Sequence, residues 1–363
     1  MSRHTYAIID QQAISDNLQV VRRYAPHSKV MAVVKSNGYG HGLARAVEAL
    51  DGADAFAVAC IDEALLLRKL GVQKKIILLE GFHNADEIPV LVENGFECVI
   101  HDFWQVEALQ ASNVEAVINV WIKVDTGMRR LGFYPQDVVR VKEMLTASKT
   151  TKIDGINYMT HFANADDLSD QKTALQQEMF LHTVCDQSGQ LSCANSAAIM
   201  GWDETHLDWV RPGIMLYGVS PFSKKRDDLN PAMTLVSQII AIKECEEGDQ
   251  IGYGGTWICP NKMKIGVVAI GYGDGYPRHA PSGTPVFVNG HRSEIIGRVS
   301  MDMICIDLSA IEAPVIGDEV ELWGKNIAVE EVAEHCGTIA YELLCGVTSR
   351  VEFKTARVEF KTK

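Results

Sequence analysis

Lys35 closes the apolar run Val30–Val34 and is followed at once by Ser36-Asn37-Gly38-Tyr39-Gly40-His41-Gly42. A lysine at the carboxyl end of a buried strand stands where barrel enzymes place their chemistry. Partial desolvation there lowers an amine's pKa and makes it a nucleophile or a base. Taken alone, Lys35 also fits an ordinary strand that ends on a solvated cation before a turn. A second lysine, Lys123, sits inside the hydrophobic run Trp121-Ile122-Lys123-Val124. A cation facing inward from such a strand is costly unless it is paired or neutralised.

Three further segments could serve a lysine that carries a cofactor. Such a lysine needs a cradle for a phosphate, a group facing the cofactor ring and a second acid/base on the opposite face. In Val210-Arg211-Pro212-Gly213-Ile214, Pro212 suits a first helical turn and Gly213 lets backbone N–H groups approach an anion. Asn195-Ser196-Ala197-Ala198 offers another helix start, with a hydroxyl. Gly252-Tyr253-Gly254-Gly255 exposes a phenol between glycines, which can exchange a proton if a cation lies nearby. Gly271-Tyr272-Gly273-Asp274-Gly275-Tyr276 imitates a dinucleotide fingerprint in its glycine spacing. It lacks the following helix and the β-α-β unit, so that reading is rejected.

The elements that must hold these residues fall into two textures. Up to about residue 215, short apolar runs alternate with amphipathic stretches. Strands are expected at Tyr6–Ile9, Val30–Val34, Ala55–Ala59, Ile76–Leu79, Cys98–Ile100, Val117–Val124 and Ile153–Met159. Helices include Leu43–Leu50, Asp62–Leu70, Pro135–Leu145 and Lys172–Val184. This alternation predicts a parallel sheet, and about eight units over some two hundred residues fit a closed (β/α)8 barrel better than an open sheet. From Met233 on, strand-like runs joined by turns predict a mostly β domain, with an Asn-Gly hairpin at Asn289-Gly290 and a short helix near Glu330–Cys336. The boundary is placed near residue 230, giving domains of 1–230 and 231–363.

Bulk composition narrows the function. The 363 residues are 47% hydrophobic, enough for sizeable cores. A net charge of −13 argues against nucleic-acid binding through the protein's overall field. The nine cysteines are scattered and form no C-x-x-C, which speaks against a disulfide framework or a zinc site and for a reducing compartment. No apolar run approaches a membrane span and the N-terminus lacks an apolar signal core, so a cytoplasmic protein with no metal and no membrane partner is expected.

Taken in order, the motifs are Ala-Val-Val-Lys-x-Asn-x-Tyr-Gly-His-Gly, Lys-Val-Asp-Thr-Gly-Met-x-Arg-Leu-Gly, His-Phe-Ala, Asn-Ser-Ala, Arg-Pro-Gly-Ile, Gly-Tyr-Gly and Gly-Arg-Val-Ser-Met-Asp-Met. From about Tyr6 to Val351 this set resembles the alanine racemases. These are pyridoxal 5'-phosphate enzymes of fold type III, with an N-terminal (β/α)8 barrel and a C-terminal β domain. The resemblance implies interconversion of L- and D-alanine by two-base proton transfer on the cofactor-bound amino acid. It implies Lys35 as the cofactor lysine and one base, and Tyr253 as the other base, reaching the site from the partner in a homodimer. Tyr39, Ser196, Gly213, Ile214 and Tyr341 would hold the phosphate, and Arg211 would face the ring nitrogen. Arg130 would bind the substrate carboxylate and orient Tyr253 through a network with His161. Lys123 matches a lysine the family carries as a carbamate. Met301 and Asp302 match residues lining the site, and Asp166, Tyr272 and Arg278 match the entry corridor. A broader amino-acid racemase, a related decarboxylase and a non-enzymatic carrier of the cofactor are the competing readings. The Tyr253 motif and the full β domain argue against the last two.

Two departures from the family pattern stand out. The common Lys-Ala-Asn-Ala-Tyr-Gly reads Lys35-Ser36-Asn37-Gly38-Tyr39-Gly40, for which a looser loop at Gly38 is expected. Ser192 stands where some relatives carry a histidine against the arginine, which leaves the hydrogen bonding behind Arg211 open.

Overall fold

The computed structural model describes residues 4–356 apart from 113, 115 and 148–150. These residues fall into two units. One comprises residues 15–38 and 42–216; the other comprises residues 4–14, 39–41 and 217–356.

In the first unit eight strands, each paired in parallel with the next, close into a barrel: β2 (Lys29–Val33), β3 (Ala55–Val58), β4 (Lys75–Leu78), β5 (Glu97–Ile100), β6 (Ala116–Lys123), β7 (Thr151–Met159), β8 (Leu191–Ser192) and β9 (Trp209–Val210). The preceding strand β1 (Tyr6–Ile9) lies outside it. Closure comes from β2 and β9, with Lys29 opposite Trp209 and Val30 opposite Val210. The strands read as continuous apolar runs because both their faces are buried, as in Ala55-Phe56-Ala57-Val58. Two of the helices between the strands show the buried stripe: Ile61, Ala64 and Leu67 in Ile61–Lys69, and Val138, Val141 and Leu145 in Val138–Thr146. The one charge on β5, Glu97, is satisfied. It accepts from Trp121 Nε1 at 2.9 Å and pairs with Lys75 at 2.7 Å.

The second unit is built on a mostly antiparallel sheet. Its strands are β1, β10 (Met233–Cys245), β13 (Met263–Val268), β14 (Pro285–Val288), β15 (His291–Ile296), β16 (Ile304–Asp307), β17 (Glu319–Trp323) and β18 (Glu352–Thr355). A small separate pair is formed by β11 (Gln250–Ile251) and β12 (Trp257–Ile258). The order is β13-β16-β15-β14-β17-β10-β1-β18, and the long β10 also pairs with β13, so six of the strands return on themselves. Register shifts bend β10 at Leu235/Val236 against β17 and at Ile239/Ala241 against β13, letting one long strand pair with β17 and β13 as well as β1. The Asn289-Gly290 turn joins β14 to β15 with both φ values positive, the geometry that makes this dipeptide a hairpin signal.

A parallel (β/α)8 barrel followed by a β domain is the fold class the resemblance implies. One strand is placed differently from the sequence reading. Tyr6–Ile9 does not open the barrel but pairs with β10 and β18 in the second unit. Its composition matches that of the barrel strands, and only its partners distinguish it. The barrel's final two strands, two residues each, are too short to leave a periodic signal.

Candidate active site

Lys35 follows β2 and is partly buried. The backbone after it does not loosen. Ser36, Asn37, Gly38 and Tyr39 all take left-handed conformations, with φ of 53°, 55°, 62° and 50°. Such geometry costs a non-glycine residue about 1–2 kcal/mol, less for Asn, and persists only where the surroundings enforce it. Here Gly38 N–H donates to Val34 O at 2.9 Å, Leu43 N–H to Asn37 Oδ1 at 2.8 Å and Gly42 N–H to Asn37 O at 2.9 Å. Glu63 accepts from Ser36 N–H at 2.7 Å with Oε1 and from Ala59 N–H at 2.8 Å with Oε2. The looser loop expected at Gly38 is therefore replaced by a hydrogen-bonded left-handed turn. Gly38 suits it because glycine enters this region freely.

Arg211, directly after β9, is 5% exposed. Its Nη1 donates to Ser192 Oγ at 2.6 Å, and its Nη2 donates to Thr160 O at 2.6 Å and Cys193 O at 3.3 Å and lies 3.4 Å from His161 Nδ1. Ser192 Oγ in turn donates to Trp209 O at 2.8 Å, so its accepting lone pair is turned to the guanidinium. The bonding left open behind Arg211 is thus filled by a buried serine and two carbonyls. Burial lowers the Arg211 pKa to about 10, which leaves it charged at neutral pH. Among the described residues its Nε–H has no protein acceptor.

Lys123 ends β6 and is buried. Burial first, then the charges of Arg211, Arg130 and Lys35, lower its pKa to about 8; Glu80 opposes them. Burial and the same cations, with Lys123 among them, hold His161 well below its usual range, so it is neutral at pH 7. The structure therefore brings Lys35, Lys123, Arg130, His161 and Arg211 into one electrostatic neighbourhood at the ends of β2, β6, β7 and β9. Ser196 opens the helix Ser196–Gly201, capped by Asn195 Oδ1 accepting from Ala198 N–H at 3.0 Å. Ser196 Oγ accepts from Gly213 N–H at 2.9 Å, and Ile214 beside it is fully buried. Asp166 is exposed.

The remaining candidates belong to the second unit. Tyr39 and Tyr341 have ring centroids 5.9 Å apart, and Tyr39 stacks on Tyr217 at 4.9 Å. Burial, with the neighbouring Tyr341, raises the Tyr39 pKa, so this phenol stays protonated and can donate. Tyr253 is 68% exposed in a turn where Gly252, Gly254 and Gly255 all have positive φ. Tyr272 N–H donates to Ser300 O at 3.0 Å and Gly273 N–H to Met301 O at 2.9 Å, which ties the Tyr272 turn to the Met301-Asp302 segment. A side chain at Gly271 would meet the Ser300 carbonyl at 2.3 Å, so close backbone packing, not a phosphate, explains that glycine. Asp302 accepts from Arg350 Nη2 at 2.6 Å, and Arg350 also reaches Asp274 at 3.3 Å. Arg278 is exposed. Glu63, Thr160, Cys193 and Arg350 were not singled out by sequence. They act through backbone groups or long-range pairs, which leave no local pattern. Among the described residues, no group of three or more His, Cys, Asp or Glu side chains is placed to hold a metal, and no helix is long and apolar enough to cross a membrane.

A parallel barrel with lysines and arginines gathered at its strand ends, followed by an antiparallel β domain carrying an exposed phenol, defines a two-part barrel enzyme with a cation-rich mouth. Residues 9–221 match the family described as alanine racemase, N-terminal domain, and residues 232–355 match alanine racemase, C-terminal domain. The chain belongs to the alanine racemase family. It is 48% identical to an alanine racemase of Aliivibrio salmonicida over 351 residues, covering 96% of this chain and 98% of the relative. It is 49% identical to one of Vibrio cholerae over 353 residues, covering 95% and 96%. Among solved structures, the biosynthetic alanine racemase of Pseudomonas aeruginosa aligns with TM-score 0.94 at 43% identity, covering 98% of this chain and all of that one.

Proposed function

We propose that this chain interconverts L-alanine and D-alanine, holding pyridoxal 5'-phosphate at the barrel mouth and acting as a homodimer whose active sites are shared between copies. The observation that carries the reading is the cluster of Lys35, Lys123, Arg130 and Arg211, with Glu80 the one carboxylate among the groups shifting Lys123. Such a site favours anions, and a cofactor phosphate together with a substrate carboxylate supplies them. The donor set fits the cofactor in kind: an amine to bond its aldehyde, an unspent Arg211 Nε–H, and the Ser196 hydroxyl beside Gly213 and Ile214. Tyr39 and Tyr341 are assigned to its phosphate. When bound, the cofactor withdraws electrons from the substrate α-carbon and makes its proton acidic.

The chain's own residues do the rest. Lys35 Nζ takes or returns that proton on one face, and the Tyr253 oxygen of a second copy does so on the other. Arg211 has no lone pair to accept a proton from the ring nitrogen, and its cage of Ser192, Thr160 and Cys193 prevents it from turning away. This weakens electron withdrawal and favours returning the proton promptly over side reactions. Arg130 binds the substrate carboxylate, with neutral His161 linking it to the orientation of Tyr253. Lys123, with a pKa of about 8, presents free amine near neutral pH. Reaction with carbon dioxide forms a carbamate and releases one proton, turning a buried cation into an anion beside Arg130. Met301 and Asp302 line the site, and Asp166, Tyr272 and Arg278 its entry.

The test is formation of D-alanine from L-alanine by the yellow, cofactor-loaded protein, with larger amino acids run in parallel. A yellow protein that forms no D-alanine overturns the reading, and equal rates on larger side chains replace it with a broader racemase. Mixing Lys35→Ala with Tyr253→Phe chains restores activity if sites are shared, because one of the two mixed sites is then intact.

A further inference from the structure

We infer that Glu63 is a positioning residue for Lys35, acting through the left-handed turn that follows it. The inference rests on Lys35 being the cofactor lysine. The direction in which Lys35 leaves the strand end is set by the peptide units on either side of its Cα. On the strand side, the carbonyl of the preceding peptide unit, Val34 O, accepts from Gly38 N–H at 2.9 Å. On the far side the next amide, Ser36 N–H, is held by Glu63 Oε1 at 2.7 Å.

The left-handed residues differ in what holds them. Gly38 enters the region freely, and Asn does so more readily than most residues. Asn37 also holds its place with Oδ1 and O, against Leu43 and Gly42. Tyr39 is buried and stacked on Tyr217. Ser36 has none of these supports. It is exposed, it is not glycine, and its φ of 53° is unfavourable. Within the turn closed by Gly38 N–H on Val34 O, the Glu63 carboxylate on its N–H is the side-chain contact made to Ser36 itself.

That carboxylate is itself fixed. Glu63 stands in the first turn of Ile61–Lys69, whose buried Ile61, Ala64 and Leu67 anchor the helix. Its second oxygen holds Ala59 N–H, directly after β3, at 2.8 Å. One side chain therefore ties a helix start, the end of β3 and the amide after Lys35 into one unit.

The experiment compares Glu63→Ala, Glu63→Gln and the double variant Glu63→Ala/Ser36→Gly. Amide hydrogen exchange at Ser36 is followed in cofactor-free full-length protein. Visible absorbance, kcat and KM for alanine, and Tm are followed in the loaded enzyme. Glu63→Ala is expected to speed Ser36 exchange at least tenfold and to lower kcat on the order of 10²-fold, the scale set by misplacing a reacting group by about an ångström, with KM changing less. Glu63→Gln keeps one acceptor and falls between, and it carries the test if the alanine variant does not fold. Ser36→Gly in the double variant recovers part of kcat, because glycine takes the left-handed conformation without a clamp. A Glu63 that merely caps its helix would lower Tm while leaving Ser36 exchange, kcat and absorbance at wild-type values, with no rescue by glycine; that result overturns the inference. Ser36 exchange that responds in a protein unable to racemise alanine upholds the clamp and rejects the reading of the reaction instead.

Discussion

The barrel mouth and the Tyr253 turn are assigned opposite halves of one proton exchange, and they are built on opposite principles. At the mouth, Arg211 is 5% exposed and has hydrogen bonds from two nitrogens, while Lys35 sits before a turn enforced by several bonds. Tyr253 is 68% exposed on three glycines with positive φ. The first group is finished within its own unit. The second is presented outward, as a group that meets its counterpart in another copy would be. On the proposed assignment, the chain rigidifies the base that would carry the cofactor and leaves the other to be positioned by assembly.

The contrast can be broken from its strongest point downward. Lys35→Ala is expected to cost at least about 10⁴ in kcat, the scale of losing a group that bonds the reacting centre. The visible absorbance of the lysine–cofactor bond should vanish with it, and a retained, reducible bond at position 35 would sink the assignment. Tyr253→Phe should cost roughly 10²–10⁴, the worth of one general acid/base, and mainly in one direction. Deuterium wash-in, followed separately from L- and D-alanine, reads this; equal slowing would mean the two halves are not two bases.

Ser192→Ala is a subtler probe of the finished half. It strips Nη1 of Arg211 of its acceptor at a fully buried position. Leaving a buried donor unsatisfied costs about 1–3 kcal/mol, and more when the donor is charged, which denaturant unfolding would register. A variant as stable as the parent would show that water replaces the hydroxyl.

The effect that is most gradual, because it is spread over pH, concerns Lys123. With a folded pKa of about 8 against 10.5 in the unfolded chain, the unfolded state binds more protons between those values. Stability contributed by this group is therefore complete above pH 10.5 and is lost as pH falls towards 8, at up to about 1.4 kcal/mol per pH unit. The difference in unfolding free energy between Lys123→Met and the parent, in buffer freed of carbon dioxide, isolates that slope from the buried tyrosines. Isotope-labelled bicarbonate giving a carbamate carbon resonance, absent in the variant, checks the modification itself.

Much of this was legible before the structure. Runs such as Ala55–Val58 announced buried parallel strands, Asn289-Gly290 announced its hairpin, and the spacing of the motifs carried the candidate site. What escaped shares one property, dependence on distant partners. Tyr6–Ile9 has the apolar character of a barrel strand, and only β10 and β18 give it its true place. β8 and β9 are two residues long and are recognised as strands only through their pairing with β7, with each other and with β2. Glu63 looks like any acidic residue in a first helical turn, and Thr160 and Cys193 hold Arg211 by carbonyls that every residue possesses. In sequence, glycine signals freedom at Gly38, whereas in the left-handed turn it serves constraint.

The position of β1 also has a consequence for the order of synthesis. Tyr6 lies opposite Val236 on one side and Glu352 on the other. On a ribosome adding about 5–20 residues per second, some 230 residues take roughly 10–50 s to follow it. Throughout that interval the barrel strands can emerge and close while an apolar Tyr-Ala-Ile-Ile edge waits without a partner, the kind of edge that recruits foreign strands. A strand made before all eight barrel strands is thus paired only after them, and its open edge is the one a holdase would cover in the meantime.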